Sequence, residues 1–215
     1  MAVIHRAQLT PTKRDLIADW LPARPWSGSP ATGQVEAVGA YRFDDPSGVV
    51  GIETLLVRTA DARMFQVPLT YRDAPVAGAE DFLVGTSEHS VLGRRWIYDG
   101  CGDPVYAAAL ATAILAGGRE ADEWVEQADG SSGRREPSVR VVGSGAGGVE
   151  ALPVVPVSVV DDGTTTTVGA SGLELVVRRV LDGPTRADDD VETLTGTWPG
   201  NAEPTLLAYA RRLRG

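Results

Sequence analysis

The sequence is poor in the residues that most often carry crosslinks, metals or nucleophilic chemistry. A single cysteine, Cys101, excludes an intrachain disulfide and any Cys/His zinc cluster. Only two histidines occur, His5 and His89. Lys13 is the one lysine, so the basic side chains are otherwise arginines, whose planar forks suit carboxylates and phosphates. Positive charge is in deficit: the formal net charge is -9, which argues against a general nucleic-acid or anionic-membrane binder. No apolar run reaches membrane-spanning length, and Met1 to Leu9 lack the apolar core of a signal peptide. The expected location is the cytoplasm. What is present is ordinary globular material: with 43% hydrophobic and 23% charged residues over 215 positions, a sizeable core can form.

Periodicity supplies the elements. Ala2 to Leu9 alternates weakly, as a strand does. Thr10-Pro11 has the cap-plus-proline form of a helix start, and Leu16, Ile17, Trp20 and Leu21 make one apolar helical face that Pro22 ends. Arg24 to Gly33 is a loop. Three strands follow at Gln34–Phe43, Val49–Arg58 and Met64–Tyr71, the last with Phe65, Val67 and Leu69 on one face and Gln66 on the other. Their short connections predict antiparallel hairpins. Pro68 inside the third strand predicts an edge or bulge position. Phe82–Val84 and Arg94–Tyr98 are further short strands. Asp103-Pro104 opens an Ala-rich, buried helix over Val105–Leu115, broken by Gly117-Gly118. Glu120–Gln127 is predicted as a short helix. The polar stretch Asp129–Arg135 marks a boundary between two halves, residues 1–130 and 131–215. Beyond it lie strands at Ser138–Val142, Leu152–Val160, Thr164–Val168 and Leu173–Leu181, a loop over Asp182–Gly200, and a helix from Glu203-Pro204 to Leu213.

Three stretches carry a family likeness: Asp19-Trp20-Leu21-Pro22-Ala23-Arg24-Pro25-Trp26, Phe65-Gln66-Val67-Pro68-Leu69-Thr70-Tyr71-Arg72, and Trp96-Ile97-Tyr98-Asp99-Gly100-Cys101-Gly102-Asp103-Pro104. Their order and spacing resemble the N-terminal cap and intermediate region of maltokinase-type sugar kinases. The likeness is closer to stand-alone actinobacterial cap-like proteins than to a complete kinase. It implies an α+β fold: a curved antiparallel, cystatin-like sheet packed with helices, then a second, kinase small-lobe-like sheet and a C-terminal helix. In such kinases a hairpin covers the nucleotide phosphates and a following strand supplies a lysine. Here Thr164, Thr165 and Thr166 occupy the turn and Arg178 the lysine position, which makes these four the candidate nucleotide-phosphate residues. The turn lacks the glycine spacing that lets backbone amides wrap a phosphate, and an ordinary hairpin is the competing reading.

The same likeness points away from catalysis. Phosphoryl transfer needs an aspartate base and metal ligands. In the family these sit in a helical lobe beyond the region resembled, and the chain ends at Gly215. No cofactor is expected, ATP and magnesium only if the hairpin is functional, and no catalytic or metal-binding residue is assigned. Asp188-Asp189-Asp190 is an acidic loop that at most chelates weakly. Ser144 in Gly143-Ser144-Gly145-Ala146-Gly147-Gly148 matches neither a nucleophile elbow nor a dinucleotide fingerprint. Glu88, His89 and Ser90 are adjacent and on an extended chain do not converge. Asp103 is a helix cap rather than an acid, and Trp20, Trp26, Trp96 and Tyr98 are core or hairpin aromatics. Cys101, in a glycine-flanked turn, is expected to be partly exposed. The resulting expectation is a non-catalytic binding or regulatory module of maltose, trehalose or glycogen metabolism. Its expected partner is a sugar kinase, a related enzyme or a second copy, with no nucleic acid and no membrane. The alternatives are a small-molecule-binding protein or minor enzyme on the concave sheet face, and a residual ATP-dependent sugar phosphotransferase.

Overall fold

The structure is a computed structural model that describes residues 2–4, 8–28, 33–126, 132–147, 153–170, 172–183, 187 and 190–213. In chain order its elements are β1 (Ala2–Ile4), β2 (Leu9–Thr10), α1 (Lys13–Trp20), β3 (Glu36–Phe43), β4 (Gly51–Arg58), β5 (Met64–Arg72), β6 (Leu83–His89), β7 (Gly93–Asp99), α2 (Pro104–Leu115), β8 (Glu123–Glu126), β9 (Ser132–Arg135), β10 (Arg140–Gly143), β11 (Ser158–Asp162), β12 (Thr165–Ala170), β13 (Leu173–Arg178), β14 (Glu192–Trp198) and β15 (Asn201–Arg212). Short 3-10 turns lie at Leu21–Ala23, Pro25–Ser27, Glu80–Phe82 and Gly100–Gly102.

The α+β class with a curved antiparallel sheet is borne out. The first sheet runs β2-β6-β7-β5-β4-β3 and the second β10-β14-β15-β13-β12-β11, both antiparallel throughout. A third, small sheet sets β1 parallel to β8, with β9 antiparallel on its far side.

Both faces of the first sheet are covered, which is why β4 and β5 are buried almost without interruption. On one face Leu55, Val57, Phe65, Val67, Leu69 and Ile97 meet Leu16, Ile17 and Trp20 of α1 and Trp26 of the 3-10 turn after it. On the other, Tyr41, Phe43, Ile52 and Leu56 join Tyr106, Leu110 and Ile114 of α2 and, from the second sheet, Val141, Val168, Leu175, Leu194 and Leu207. Helix α2 therefore lies in a core shared by the two large sheets. This explains why it is apolar on nearly all sides. Each fully buried Leu or Ile here contributes roughly 1.5–3 kcal/mol of transfer free energy.

The helix starts follow local chemistry. Asp103 caps α2 by accepting the Val105 N–H at 2.9 Å, with Pro104 at the first helical position. For α1 the cap is Thr12, not Thr10: Thr12 and Asp15 form a reciprocal capping box, which outweighs the Thr10-Pro11 signal.

Four sequence expectations are corrected. The expected helix at Glu203–Leu213 is β15, an interior strand between β14 and β13. Leu206, Leu207 and Ala210 fit a helical face, but the run Leu206–Ala210 equally fits a strand buried on both sides, and burial between two partners decides it. The expected loop Asp182–Gly200 contains β14, whose Thr193, Thr195 and Thr197 alternate with Leu194, Gly196 and Trp198. The expected helix at Glu120–Gln127 is β8 as far as Glu126, and Gln127 lies outside the described residues. Pro68 is on neither an edge nor a bulge: β5 is an interior strand, and the β4–β5 ladder pairs Thr54 with Pro68 in regular register. The β5–β7 ladder begins at Leu69↔Asp99, so the N–H that proline lacks has no strand partner to serve.

Candidate functional site

The predicted hairpin forms as a two-residue turn, Gly163–Thr164, between β11 and β12, with Gly163 at positive φ. The structure sets Thr165 opposite Arg178 in the β12–β13 ladder. Three of the four candidate side chains, Thr165, Thr166 and Arg178, are engaged internally. Thr164 is exposed, and its carbonyl accepts the N–H groups of Arg179 and Val180 at 2.8 and 3.2 Å. Thr165 Oγ1 donates to the Asp162 carbonyl at 3.0 Å. Thr166 is fully buried; its hydroxyl donates to Asp161 Oδ1 at 2.5 Å and accepts from Arg179 Nε at 2.7 Å. Arg178 is buried too, donating from Nη1 to the Leu206 carbonyl at 3.0 Å and from Nη2 to the Gly183 carbonyl at 3.2 Å. Burial lowers its pKa, and Asp182 partly offsets that.

The neighbouring Arg179, which no sequence motif singles out, has the larger structural role. Its Nη2 pairs with Asp99 Oδ2 at 2.6 Å, and its guanidinium lies 4.9 Å from the Trp26 ring centroid. Burial depresses the Arg179 pKa, but the charge of Asp99, its hydrogen bond and the neighbouring Cys101 and Tyr106 together outweigh burial, and the net shift is upward. Asp99 also accepts the Cys101 N–H, at 3.2 Å. Backbone bonds reinforce this junction. The Gln66 N–H donates to the Arg179 carbonyl at 2.8 Å, and the Leu181 N–H to the Met64 carbonyl at 2.9 Å. The Gln66 amide reaches the Arg178 and Leu207 carbonyls at 2.9 and 3.0 Å. The chain just after β13 thus joins the start of β5, and the two large sheets share a polar as well as an apolar seam.

A second buried polar cluster centres on Glu53 of β4. Lys13 Nζ pairs with its Oε2, Arg42 Nη2 reaches its Oε1 at 2.6 Å, and the Tyr71 hydroxyl donates to Oε2 at 2.7 Å. Burial would raise the Glu53 pKa, but Arg42 and Lys13 pull it down to about 2. Nearby, Glu123 of β8 sits 3.7 Å from Arg42 Nε and 3.6 Å from Arg135 Nε. Burial raises the Glu123 pKa, against the two arginines. The cluster fastens α1, β3, β4, β5 and β8 together.

The remaining sequence candidates separate. Asp103 accepts a bidentate pair from Arg72 at 2.8 and 2.9 Å and the Thr70 hydroxyl at 2.8 Å, in keeping with a capping role. Glu88 pairs with Arg94, His89 Nδ1 accepts the Val91 and Leu92 N–H groups, and Ser90 Oγ accepts the Gln8 N–H. Trp20, Trp26 and Tyr98 are buried and Trp96 half-buried. Cys101 is fully buried rather than partly exposed, and burial pushes its thiol pKa far up. The glycine run serves α2: the Gly145 N–H donates to the Ile114 carbonyl at 2.9 Å, and a Cβ on Gly145 would lie 2.0 Å from the Leu115 carbonyl oxygen. Those glycines permit backbone to close on a helix C-terminus, where orphan carbonyls need donors. Among the described residues no group of three or more His, Cys, Asp or Glu is arranged to hold a metal ion; Asp188 and Asp189 lie outside the described residues. No described helix is long and apolar enough to cross a membrane.

Among the described residues a sizeable groove is present. It holds about 610 Å³ and is floored by the outward side of α2, with Val105, Ala108, Ala109 and Thr112. Phe43 and Pro46 form one wall. The charges around it are largely paired, Arg134 with Asp122 at 2.6 Å and Arg140 with Glu136 at 2.5 Å.

No curated protein matches the chain. A family model does, and it spans all three motif stretches except their outermost residues, Asp19 and Pro104. Residues 20–103, from the end of α1 to the cap of α2, match the maltokinase N-terminal cap domain, so the chain carries a maltokinase-related cap module.

Proposed function

We propose that the chain is a non-catalytic binding or regulatory module that acts on a protein partner, a maltokinase-type sugar kinase or another enzyme of maltose, trehalose or glycogen metabolism, in the cytoplasm. The observation that carries this reading is the commitment of its reactive side chains to internal contacts within and beside a cap module. Asp99, Asp103, Glu53, Thr166, Arg178 and Arg179 are all buried and hydrogen-bonded inside the fold. A group locked in this way holds a scaffold rigid and is not free to move a proton or a phosphoryl group at a substrate. The pathway rests on the cap-domain likeness alone. A tagged chain used as bait in native lysate should retain a sugar-metabolic enzyme in a stoichiometric complex. Recovery of no sugar-metabolic protein overturns the reading.

The groove along α2 favours a second reading, a small-molecule site, because its volume falls in the range of about 300–1,000 Å³ typical of ligand pockets. That reading predicts a thermal shift with a sugar or sugar phosphate that Ala109→Trp abolishes. The hairpin reading, with ATP held by Thr164, Thr165, Thr166 and Arg178, requires the side chains of Thr165, Thr166 and Arg178 to leave their present partners. ATP with magnesium should then raise the melting temperature, and turnover on maltose or glucosamine should be measurable. Neither is expected of a non-catalytic module.

A further inference from the structure

Among the outer strands of the two large sheets, β11 is paired along one side only within the described residues. The outer side of β3 is met by Val139, whose N–H donates to the Ala40 carbonyl, and by Ala121, whose N–H donates to the Arg42 carbonyl. At β10 the outer side is met by an isolated bridge, Arg119↔Val142, and by the Gly143 N–H on the Gly118 carbonyl. On the first sheet's far side β2 and the Gln8–Ser90 bonds cover the end of β6. For Ser158–Asp162, by contrast, no backbone bond other than those to β12 exists among the described residues. Every second residue of β11 therefore turns an N–H and a C=O outward. Val157 and Val159 pack inward, and Val160 points out with 62% of its surface exposed.

We propose that β11 is a docking edge for an extended, Lys- or Arg-bearing segment of a partner protein, which adds to the second sheet as a seventh strand. The inference rests on the partner-binding reading above and names the chemistry of that partner. Its charge follows from the edge. Asp161 and Asp162 are both exposed at the end of the strand, Asp161 with one carboxylate oxygen on Thr166, on a chain of net charge -9. Such a field draws in a basic segment and repels a second copy of the same acidic chain. The ladder is short, because Pro156 has no N–H and stops pairing on the N-terminal side. Backbone bonds along Val157–Asp162 supply affinity, and an apolar side chain against Val160 with a cation against Asp162 supplies selectivity.

Two measurements test this. The full chain is titrated with a synthetic peptide of alternating valine and lysine and with its glutamate counterpart, followed by amide chemical shifts. The expected result is perturbation confined to residues 157–168 by the lysine peptide only, weakened about tenfold or more by Asp162→Lys and less by Asp162→Asn, and reduced by added salt. Equal response to both peptides, or shifts centred elsewhere, overturns the proposal. In the native host, a photo-crosslinking residue is placed at position 160 or, in the groove, at position 119. Capture at 160 of a protein through a basic extended segment supports the edge. Crosslinks between copies of the chain overturn it in favour of self-association. Capture of a sugar-metabolic enzyme at 119 alone leaves the partner reading standing and removes the edge, whereas no capture at either position removes both.

Discussion

The ion pair between Arg179 and Asp99 gives the sharpest test of how the fold is held. Both side chains are buried, and the pair joins the end of β13 to the end of β7. Removing one partner leaves the other as an uncompensated charge in a low-dielectric seam, which costs about 3–5 kcal/mol. Arg179→Met leaves the Asp99 carboxylate with the Cys101 N–H alone. Asp99→Asn leaves the guanidinium with Thr166 and the face of Trp26. For a chain of this length about 1 kcal/mol moves the melting temperature by roughly 2–4 °C, so each single variant should melt about 6–20 °C below the parent. The double variant carries no buried charge at the seam and should recover part of that loss, because a well-packed neutral replacement of a buried pair is often close to neutral. Urea unfolding of the four proteins closes a double-mutant cycle with a coupling energy of at least about 2 kcal/mol. Additive single effects, or single variants within about 0.5 kcal/mol of the parent, would refute the claim that this pair fastens the two sheets.

Three further outcomes follow from the same geometry. Glu53 has a pKa of about 2 in the fold against 4.5 for the free side chain, so its contribution is complete above the unfolded value and is lost as pH falls from 4.5 toward 2. That shift corresponds to something of the order of 3 kcal/mol at neutral pH; Glu53→Gln should lower the urea midpoint at pH 7 and flatten its decline below about pH 5. Gly145→Ala drives a Cβ into the Leu115 backbone and should destabilise by at least about 2–3 kcal/mol in thermal unfolding, while Gly33→Ala, with nothing within 4 Å, should be near neutral. The Cys101 thiol, buried and with its pKa pushed up, should resist a disulfide exchange reagent for as long as the protein stays folded and react fully in urea. Rapid native reaction at Cys101 would contradict its placement.

Most of the first sheet is legible in the sequence because its signals are local. β3 and β5 announce themselves through alternation, β4 through its apolar run, and all three through short turns; Asp103-Pro104 fixes the start of α2 within one residue. What fails is the reading of segments whose state is set by distant partners. Leu206–Ala210 suits a helix or a strand; it becomes a strand because β13 and β14 flank it, and those lie far away along the chain. β14 was hidden for a different reason. The acidic, glycine- and proline-containing context of Asp182–Gly200 masks seven residues with a clear period of two. Cys101 looks exposed from its flanking glycines, yet Gly102 is close to Phe82 and Gly100 is pressed against Tyr106 and Pro68, so here glycine marks close packing rather than an open turn.

The candidate site shows the same division between scaffold and chemistry. The β12–β13 ladder sets Thr165 opposite Arg178, a register that the sequence reading does not specify. Whether a cation in that position is available to a phosphate depends on where its charge ends up, and no residue spacing encodes that. Arg178 ends against two carbonyls, whereas Arg179 turns to the other face and meets Asp99, eighty residues earlier in the chain. Adjacent residues on one strand point to opposite sides, so a one-residue difference decides whether a guanidinium faces backbone or the seam between sheets. In this chain the seam holds Arg179, which no sequence motif singles out.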